Sequence, residues 1–155
     1  MKTLVEDIVQ RLTQVWRSPD TTPHRGHTYR CRCGRPVFFR NSKCLACEAV
    51  LGYEPDLAEV RALLPTHKEG MWRVHGEPPD SPTFRRCANL DSPAGCNWLL
   101  PADHPSDLCI SCRLNRTIPD LSDADNRRYW RLIENAKRRL VSQLLAVGLP
   151  VVSKV

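Results

Sequence analysis

Residues 31–47 read CRCGRPVFFRNSKCLAC, with a close pair of cysteines at each end of the stretch. The second pair, Cys44 and Cys47, has the Cys-x-x-Cys spacing, in which a tight turn directs both sulfurs toward one point. A second group follows after a long interval without cysteine and also contains a Cys-x-x-Cys pair. The two groups consist of Cys31, Cys33, Cys44 and Cys47, and of Cys87, Cys96, Cys109 and Cys112. Four cysteines are the number of ligands in a tetrahedral zinc site.

Eight cysteines in 155 residues fit either a disulfide framework or metal sites. The apolar pattern of the first residues is interrupted by Glu6, Asp7 and Arg11, unlike the apolar core of a secretory signal. No apolar run reaches the ~18 residues of a membrane span. We therefore expect a cytoplasmic protein with reduced thiols. The prediction is two structural Zn²⁺ ions, each bound by one cysteine group.

Each Cys-x-x-Cys pair needs two further ligands, and the preceding strand turn supplies them in the zinc-ribbon arrangement of two hairpins around one metal. The partner pairs are irregular, since one residue separates Cys31 from Cys33 and eight separate Cys87 from Cys96. A cross-braced arrangement that exchanges ligands between the groups fits the same count. His24, His27 and His104 lie near the cysteines and are weaker candidates for substitute ligands.

The metals are expected to decide whether these segments fold. Units of roughly 25 and 40 residues bury too little apolar surface to be stable alone. A structural zinc contributes about 10–16 kcal/mol in small peptides, as much as the ~5–15 kcal/mol that stabilises a whole domain.

The remaining sequence predicts an α+β protein with two small zinc-ribbon-like β units between an N-terminal amphipathic helix and a long C-terminal helix. We divide it into residues 1–27 (helix and linker), 28–64 (first unit with a short helix), 65–121 (second unit) and 122–155 (C-terminal helix and tail). The first helix has apolar residues at steps of three and four: Leu4, Val5, Ile8, Val9, Leu12, Val15 and Trp16. Packing on its own domain is the preferred interpretation, and binding of a partner or dimerisation is the alternative.

Within the units, strands are predicted at 29–34, 37–39, 71–74, 83–87 and 96–100. Leu57, Val60, Leu63 and Leu64 have helical spacing and predict a short helix before Pro65. The last helix, at 122–147, is expected to begin at Ser122 and to end before Gly148. Its apolar stripe consists of Tyr129, Ile133, Ala136, Leu140, Leu144 and Val147.

The net charge of +6 is compatible with an acidic partner such as nucleic acid. Each zinc with four thiolates carries −2, so two sites lower the formal charge from +6 to +2. The local clusters are Arg30, Arg32 and Arg35 near the first site, Arg85 and Arg86 near the second, and Arg127, Arg128, Arg131, Lys137, Arg138 and Arg139 on the last helix. We favour a solvated helix face, including Arg138, over a phosphate-binding surface.

Catalysis is not expected from this chain. A four-thiolate zinc has no vacant position for water, and no histidine begins a His-Glu-x-x-His motif. A Gly-rich phosphate loop is also absent from the sequence.

Several stretches resemble one bacterial family, the zinc-binding metallopeptidases that begin with a zinc-ribbon domain. The resemblance covers about residues 28–152. It is carried by Arg30-Cys-Arg-Cys-Gly34, Val37-Phe-Phe39, Cys44-Leu-Ala-Cys47, Leu51-Gly-Tyr53, Arg86-Cys-Ala-Asn89, Cys96-Asn-Trp-Leu99, Pro101-Ala-Asp103, Leu108-Cys109, Cys112-Arg-Leu-Asn-Arg-Thr-Ile-Pro-Asp120, Ala136-Lys-Arg-Arg-Leu140 and Gly148-Leu-Pro150.

The resemblance implies two metal sites and a recognition or scaffolding role next to a peptidase-like domain, whose His-Glu-x-x-His helix this sequence lacks. We expect the chain to bind either another protein or the downstream peptidase-like domain. A nucleic-acid-binding ribbon is the alternative, and a thiol redox protein a weaker one.

Overall fold

The computed structural model describes residues 28–152, together with Glu6, Val9, Gln10 and Thr13, which have helical backbone. The predicted helix over residues 2–17 therefore lies mostly outside the described residues. Within them the chain is mixed α and β, as predicted, and its strands form two sheets. None of the helices in this described part combines the length and apolar character that a membrane span requires.

The first sheet is a short antiparallel hairpin of β1 (Tyr29–Arg30) and β2 (Pro36–Val37). Its turn is closed by two backbone hydrogen bonds, from the Cys31 N–H to the Arg35 carbonyl and from the Gly34 N–H to the Cys31 carbonyl. Gly34 has a φ of +80°, which a residue with a Cβ adopts only with strain. The hairpin thus holds Cys31 and Cys33 in one tight turn.

The second sheet is an antiparallel meander of five strands in sequential order. The strands are β3 (Val50–Glu54), β4 (Glu59–Pro65), β5 (Trp72–Val74), β6 (Phe84–Arg86) and β7 (Leu99–Pro101). β5 and β6 fall within predicted strands, whereas β7 begins three residues later than expected. The sheet crosses the boundary assigned between residues 64 and 65, and the division into folding units stays a prediction.

The short helix predicted before Pro65 is wrong, because this segment is β4. Val60 lies opposite Tyr53 of β3, and Leu63 lies opposite both Val50 of β3 and Val74 of β5. β4 is therefore a central strand, and its two ladders of hydrogen bonds override a helical spacing that rests on only four apolar residues. Leu57, the first of those four, lies in the β3–β4 turn and is exposed.

The long helix, α1, spans Ala124–Ala146, close to the predicted range. Its N-cap is Asp123 rather than Ser122, since the Asp123 carboxylate accepts a hydrogen bond from the Asn126 N–H at 2.9 Å. Ser122 instead donates its N–H and hydroxyl to the carboxylate of Asp120. The hydrogen bond from Ser122 lowers the pKa of Asp120.

The buried face of α1 differs from the sequence-based expectation. It consists of Trp130, Glu134, Arg138 and Val141. Arg138 is therefore not on a solvated face, and that prediction is wrong. Its guanidinium donates to the backbone carbonyl of Ala94 at 2.8 Å and lies 3.9 Å from the carboxylate of Glu134. Tyr129, Ile133 and Leu140 of the predicted apolar stripe are instead exposed.

Candidate metal centres

The first cysteine group forms a compact cluster, named here cluster 1: Cys31, Cys33, Cys44 and Cys47. The β1–β2 turn supplies the first two sulfurs, and the turn before β3 supplies the others. The Sγ atoms of Cys31 and Cys47 are 3.6 Å apart, and those of Cys33 and Cys44 are 3.8 Å apart. A hydrogen bond from the Cys44 N–H to the Ala49 carbonyl closes the second turn.

The second group forms cluster 2: Cys87, Cys96, Cys109 and Cys112. Cys87 follows β6 and Cys96 precedes β7. Cys109 lies just before a turn that leads into a short 3-10 helix at Cys112–Leu114, and Cys112 is the first residue of that helix. The Sγ atoms of Cys96 and Cys109 are 3.6 Å apart. The Cys109 N–H donates to the Cys87 sulfur at 3.4 Å, so the backbone already solvates one prospective thiolate.

The sulfur positions fit zinc. Within each cluster all four sulfurs lie within 4.8 Å of one another. Four sulfurs at ~2.3 Å from one ion stand ~3.8 Å apart in a regular tetrahedron, close to the observed separations. A disulfide requires about 2.05 Å, and all eight cysteines are free thiols. The clusters are sequential, so the cross-braced alternative is not the arrangement found.

The thiol pKa values diverge strongly within each cluster. In cluster 1 a backbone hydrogen bond from Ala49 lowers the pKa of Cys47 to about 6, whereas burial raises that of Cys31 to about 12. In cluster 2 a hydrogen bond with Cys109 lowers the pKa of Cys112 to about 7. Full deprotonation of four such close thiols requires a compensating cation, which a bound divalent metal would supply.

The two clusters differ in solvent access. All four cysteines of cluster 2 are at most 2% exposed. In cluster 1, Cys33 is exposed and Cys47 is partly exposed. Leu45, between two prospective ligands of cluster 1, is 96% exposed, and Phe38, just after β2, is 59% exposed. Cluster 1 therefore lies at the surface, and cluster 2 lies in the interior.

Asn97 connects the two cluster regions, a role that the sequence analysis did not assign. It lies beside Cys96 and is 1% exposed. Its side-chain amide donates to the backbone carbonyls of Phe39 and Asn41, at 2.8 and 3.0 Å, in the loop between the cysteine pairs of cluster 1. The only sequence signal was a polar residue between Cys96 and an aromatic one, which does not reveal a contact so distant along the chain.

An aromatic group packs next to this bridge. The ring of Tyr53 is 4.6 Å from that of Phe39 and 4.9 Å from that of Trp98, measured between centroids. Burial raises the pKa of Tyr53 to about 12. These rings share one apolar cluster with prospective ligands from both metal centres. The two centres therefore share a continuous core.

Most of the singled-out cations have protein partners. Arg85 pairs with Asp107 and also donates to the His104 carbonyl. Arg86 lies over the Trp72 ring at 5.8 Å, and burial lowers its pKa. On α1, Arg127 donates to backbone carbonyls that precede the helix, and Lys137 pairs with Glu134 at 2.6 Å.

None of the histidines that the structure describes belongs to either cysteine cluster. The Nδ1 atom of His104 accepts from the Ser106 N–H at 3.0 Å. His67 and His75 lie outside both clusters as well. His24 and His27 lie outside the described residues.

Two clusters of four cysteines, held by short turns, are the ligand sets typical of the zinc-ribbon class of protein. A family model described as a zinc-ribbon domain matches residues 28–123. The chain belongs to this zinc-ribbon domain family.

Several curated mycobacterial proteins are similar to this chain. Uncharacterized proteins of Mycobacterium bovis and Mycobacterium tuberculosis are each 33% identical over 122 residues, which is 79% of this chain and 31% of theirs. An uncharacterized methyltransferase of Mycobacteroides abscessus is 26% identical over 136 residues, which is 88% of this chain and 44% of that protein. The chain thus spans about a third of the length of the first relatives. No solved structure matches it significantly.

Proposed function

We propose that this chain is a zinc-stabilised recognition module that performs no chemistry itself and binds a peptidase-like domain of a longer metallopeptidase-like protein. The observation that carries the proposal is the set of four cysteine sulfurs in each cluster, with cluster 2 buried and cluster 1 at the surface. Four sulfurs complete a tetrahedral zinc, so neither ion would have a position for a catalytic water. Reduced thiols are consistent with a cytoplasmic location.

The exposed part of cluster 1 is the proposed contact surface. Leu45 presents its side chain to solvent between Cys44 and Cys47, and Phe38 does so in the loop that leads from β2 toward Cys44. A rigid metal centre can fix such side chains with little loss of conformational entropy on binding. Apolar and aromatic residues of this kind are typical anchors of protein interfaces.

The longer relatives provide the test. The part of the Mycobacterium tuberculosis protein outside its matched 122 residues can be produced separately and titrated with this chain by calorimetry. We expect saturable binding, and at least about tenfold weaker binding by Phe38→Ser/Leu45→Ser, because both apolar anchors are lost. Leu57→Ser is the matched control, since Leu57 is similarly exposed but lies in the β3–β4 turn.

Three results bear on this proposal. About two zinc ions per chain by elemental analysis are expected in every variant. A His-Glu-x-x-His motif in the remaining part of the relative supports the peptidase assignment. Absence of binding by the intact zinc-loaded chain refutes the proposed role.

A nucleic-acid-binding role is the second candidate. Arg30 and Arg32 line an open groove of about 700 Å³ beside cluster 1, and Arg35 and Arg40 are exposed nearby. Glu59 lines the same groove, and the ion pairs of Arg61 with Glu54 and Glu77 reduce its positive charge. We therefore rank this role below protein recognition.

A salt series decides between the two roles. Phosphate binding to duplex DNA predicts that log K falls with log salt by about 0.9 for each phosphate contacted. Binding that is absent or insensitive to salt excludes this candidate.

A further inference from the structure

α1 has two different faces. Trp130, Glu134, Arg138 and Val141 face the protein interior. On the opposite side, apolar residues recur at steps of four and three. We name these the outer seam: Tyr129, Leu132, Ile133, Ala136 and Leu140.

The outer seam is an uncovered helix-packing surface. Its four large side chains are 55–58% exposed, and Ala136 is exposed between them. Tyr129, Ile133, Ala136 and Leu140 follow the spacing of a heptad seam, which averages 3.5 residues and fits a second helix. A contiguous apolar surface of this kind indicates an interaction site.

We propose that residues 2–17 of the same chain dock as a helix on the outer seam. Their apolar residues repeat at the same steps of three and four, with Val5, Ile8, Leu12 and Val15 as one such series. Val9, the one apolar residue of this stripe that the structure describes, is 55% exposed.

The lengths agree. A helix from Leu4 to Trp16 is about 18 Å long at 1.5 Å per residue. The outer seam and its continuation to Val147 extend about 27 Å on the same basis. The segment is therefore about as long as the outer seam itself, which extends about 17 Å from Tyr129 to Leu140, and shorter than the seam with its continuation.

The connection also permits the contact. Tyr29, just after the segment and its linker, packs against the core cluster that contains Val141 of α1. The linker of residues 18–27 spans at most about 36 Å when extended. This reach is about twice the ~17 Å length of the outer seam.

A second copy of the chain is the competing occupant. A tethered segment has an effective concentration in the millimolar range, about a thousand times that of a second chain at micromolar concentration. The intramolecular contact is therefore favoured. This docking does not depend on what the ribbon module binds.

The experiment uses the full 155-residue chain with a photo-crosslinking amino acid in place of Tyr129, and separately in place of Leu140. Light scattering gives the oligomeric state, and mass spectrometry of the crosslinked peptides identifies the contact. We expect a monomer in which both positions crosslink to peptides from residues 2–17. Val9→Asp should lower the crosslink yield at least about tenfold, because an unpaired carboxylate is costly to bury.

Gln10→Asp is the matched control, since Gln10 adjoins Val9 but lies off the apolar stripe, and it should leave the yield unchanged. Crosslinks between two copies of α1 in a dimer would assign the seam to a second copy and overturn the proposal. A monomer without crosslinks to residues 2–17 would also overturn it. Zinc content and the circular dichroism spectrum of each variant separate loss of docking from loss of folding.

Discussion

Arg138→Leu tests the unexpected buried face of α1. Arg138 is 1% exposed and Glu134 is 0% exposed. The guanidinium donates to the Ala94 carbonyl in the loop before Cys96, and it also donates to the side chain of Asn135. The substitution therefore removes a link between the helix and the segment that leads into cluster 2.

The expected cost follows from these contacts. Removal of one partner of a buried ion pair costs about 3–5 kcal/mol, since the other charge is left without compensation. Here Lys137 stays within 2.6 Å of Glu134, so part of the compensation remains. The unpaired Ala94 carbonyl adds a cost of its own. We expect the free energy of unfolding to decrease by an amount near the lower end of this range, about 3 kcal/mol.

Urea unfolding of the zinc-loaded protein, followed by tryptophan fluorescence, measures this change. With a slope of about 1–3 kcal/mol per molar urea, the midpoint should fall by about 1–3 M. Arg139→Leu is the matched control, because Arg139 is the exposed neighbour, and its effect should stay within about 0.5 kcal/mol. Equal midpoints for the two variants would show that the buried guanidinium contributes nothing.

Three further changes have defined outcomes. Cys112→Ser should release about one zinc equivalent and unfold the surrounding segment, as measured by elemental analysis and circular dichroism; unchanged metal content contradicts the ligand assignment. A chelator should remove the metal of cluster 1 before that of cluster 2, since Cys33 is exposed; mass spectrometry of alkylated cysteines gives the order. Gly52→Ala places a Cβ in collision with a methyl carbon of buried Leu99 and should cost about 1–3 kcal/mol in urea unfolding; an unchanged midpoint would contradict this close approach.

The cysteine spacing predicted more of this structure than any other feature. A Cys-x-x-Cys turn has few backbone solutions, so local sequence alone indicated that Cys44 and Cys47, and Cys109 and Cys112, would each be close together. The irregular partners Cys31 and Cys33 lie in the same cluster as Cys44 and Cys47, although their spacing was equally compatible with cross-bracing. Eight residues separate Cys87 from Cys96 in the sequence, so their spacing alone does not place the two sulfurs together. The pairing of the folded strands brings them to one point.

Sequence periodicity failed where tertiary contacts determine the structure. The segment before Pro65 has apolar residues at helical spacing, yet pairing with β3 and β5 makes it a central strand. In α1 the periodicity located the helix but not its buried face. Apolar spacing cannot show that a carbonyl at Ala94 and a carboxylate at Glu134 provide partners for Arg138, or that a seam ending at Leu140 stays exposed.

The two cysteine clusters differ in burial, which indicates different structural roles within one core. Cluster 2 lies in the interior, and its neighbour Asn97 holds the loop of cluster 1 through two backbone carbonyls. A change in cluster 1 can therefore be accommodated by movement of its own loops. Disruption of cluster 2, in contrast, also removes the hydrogen bonds from Asn97 that hold the loop of cluster 1. A metal bound in cluster 2 would therefore stabilise the framework, and a metal bound in cluster 1 would hold the turn that carries the exposed Leu45.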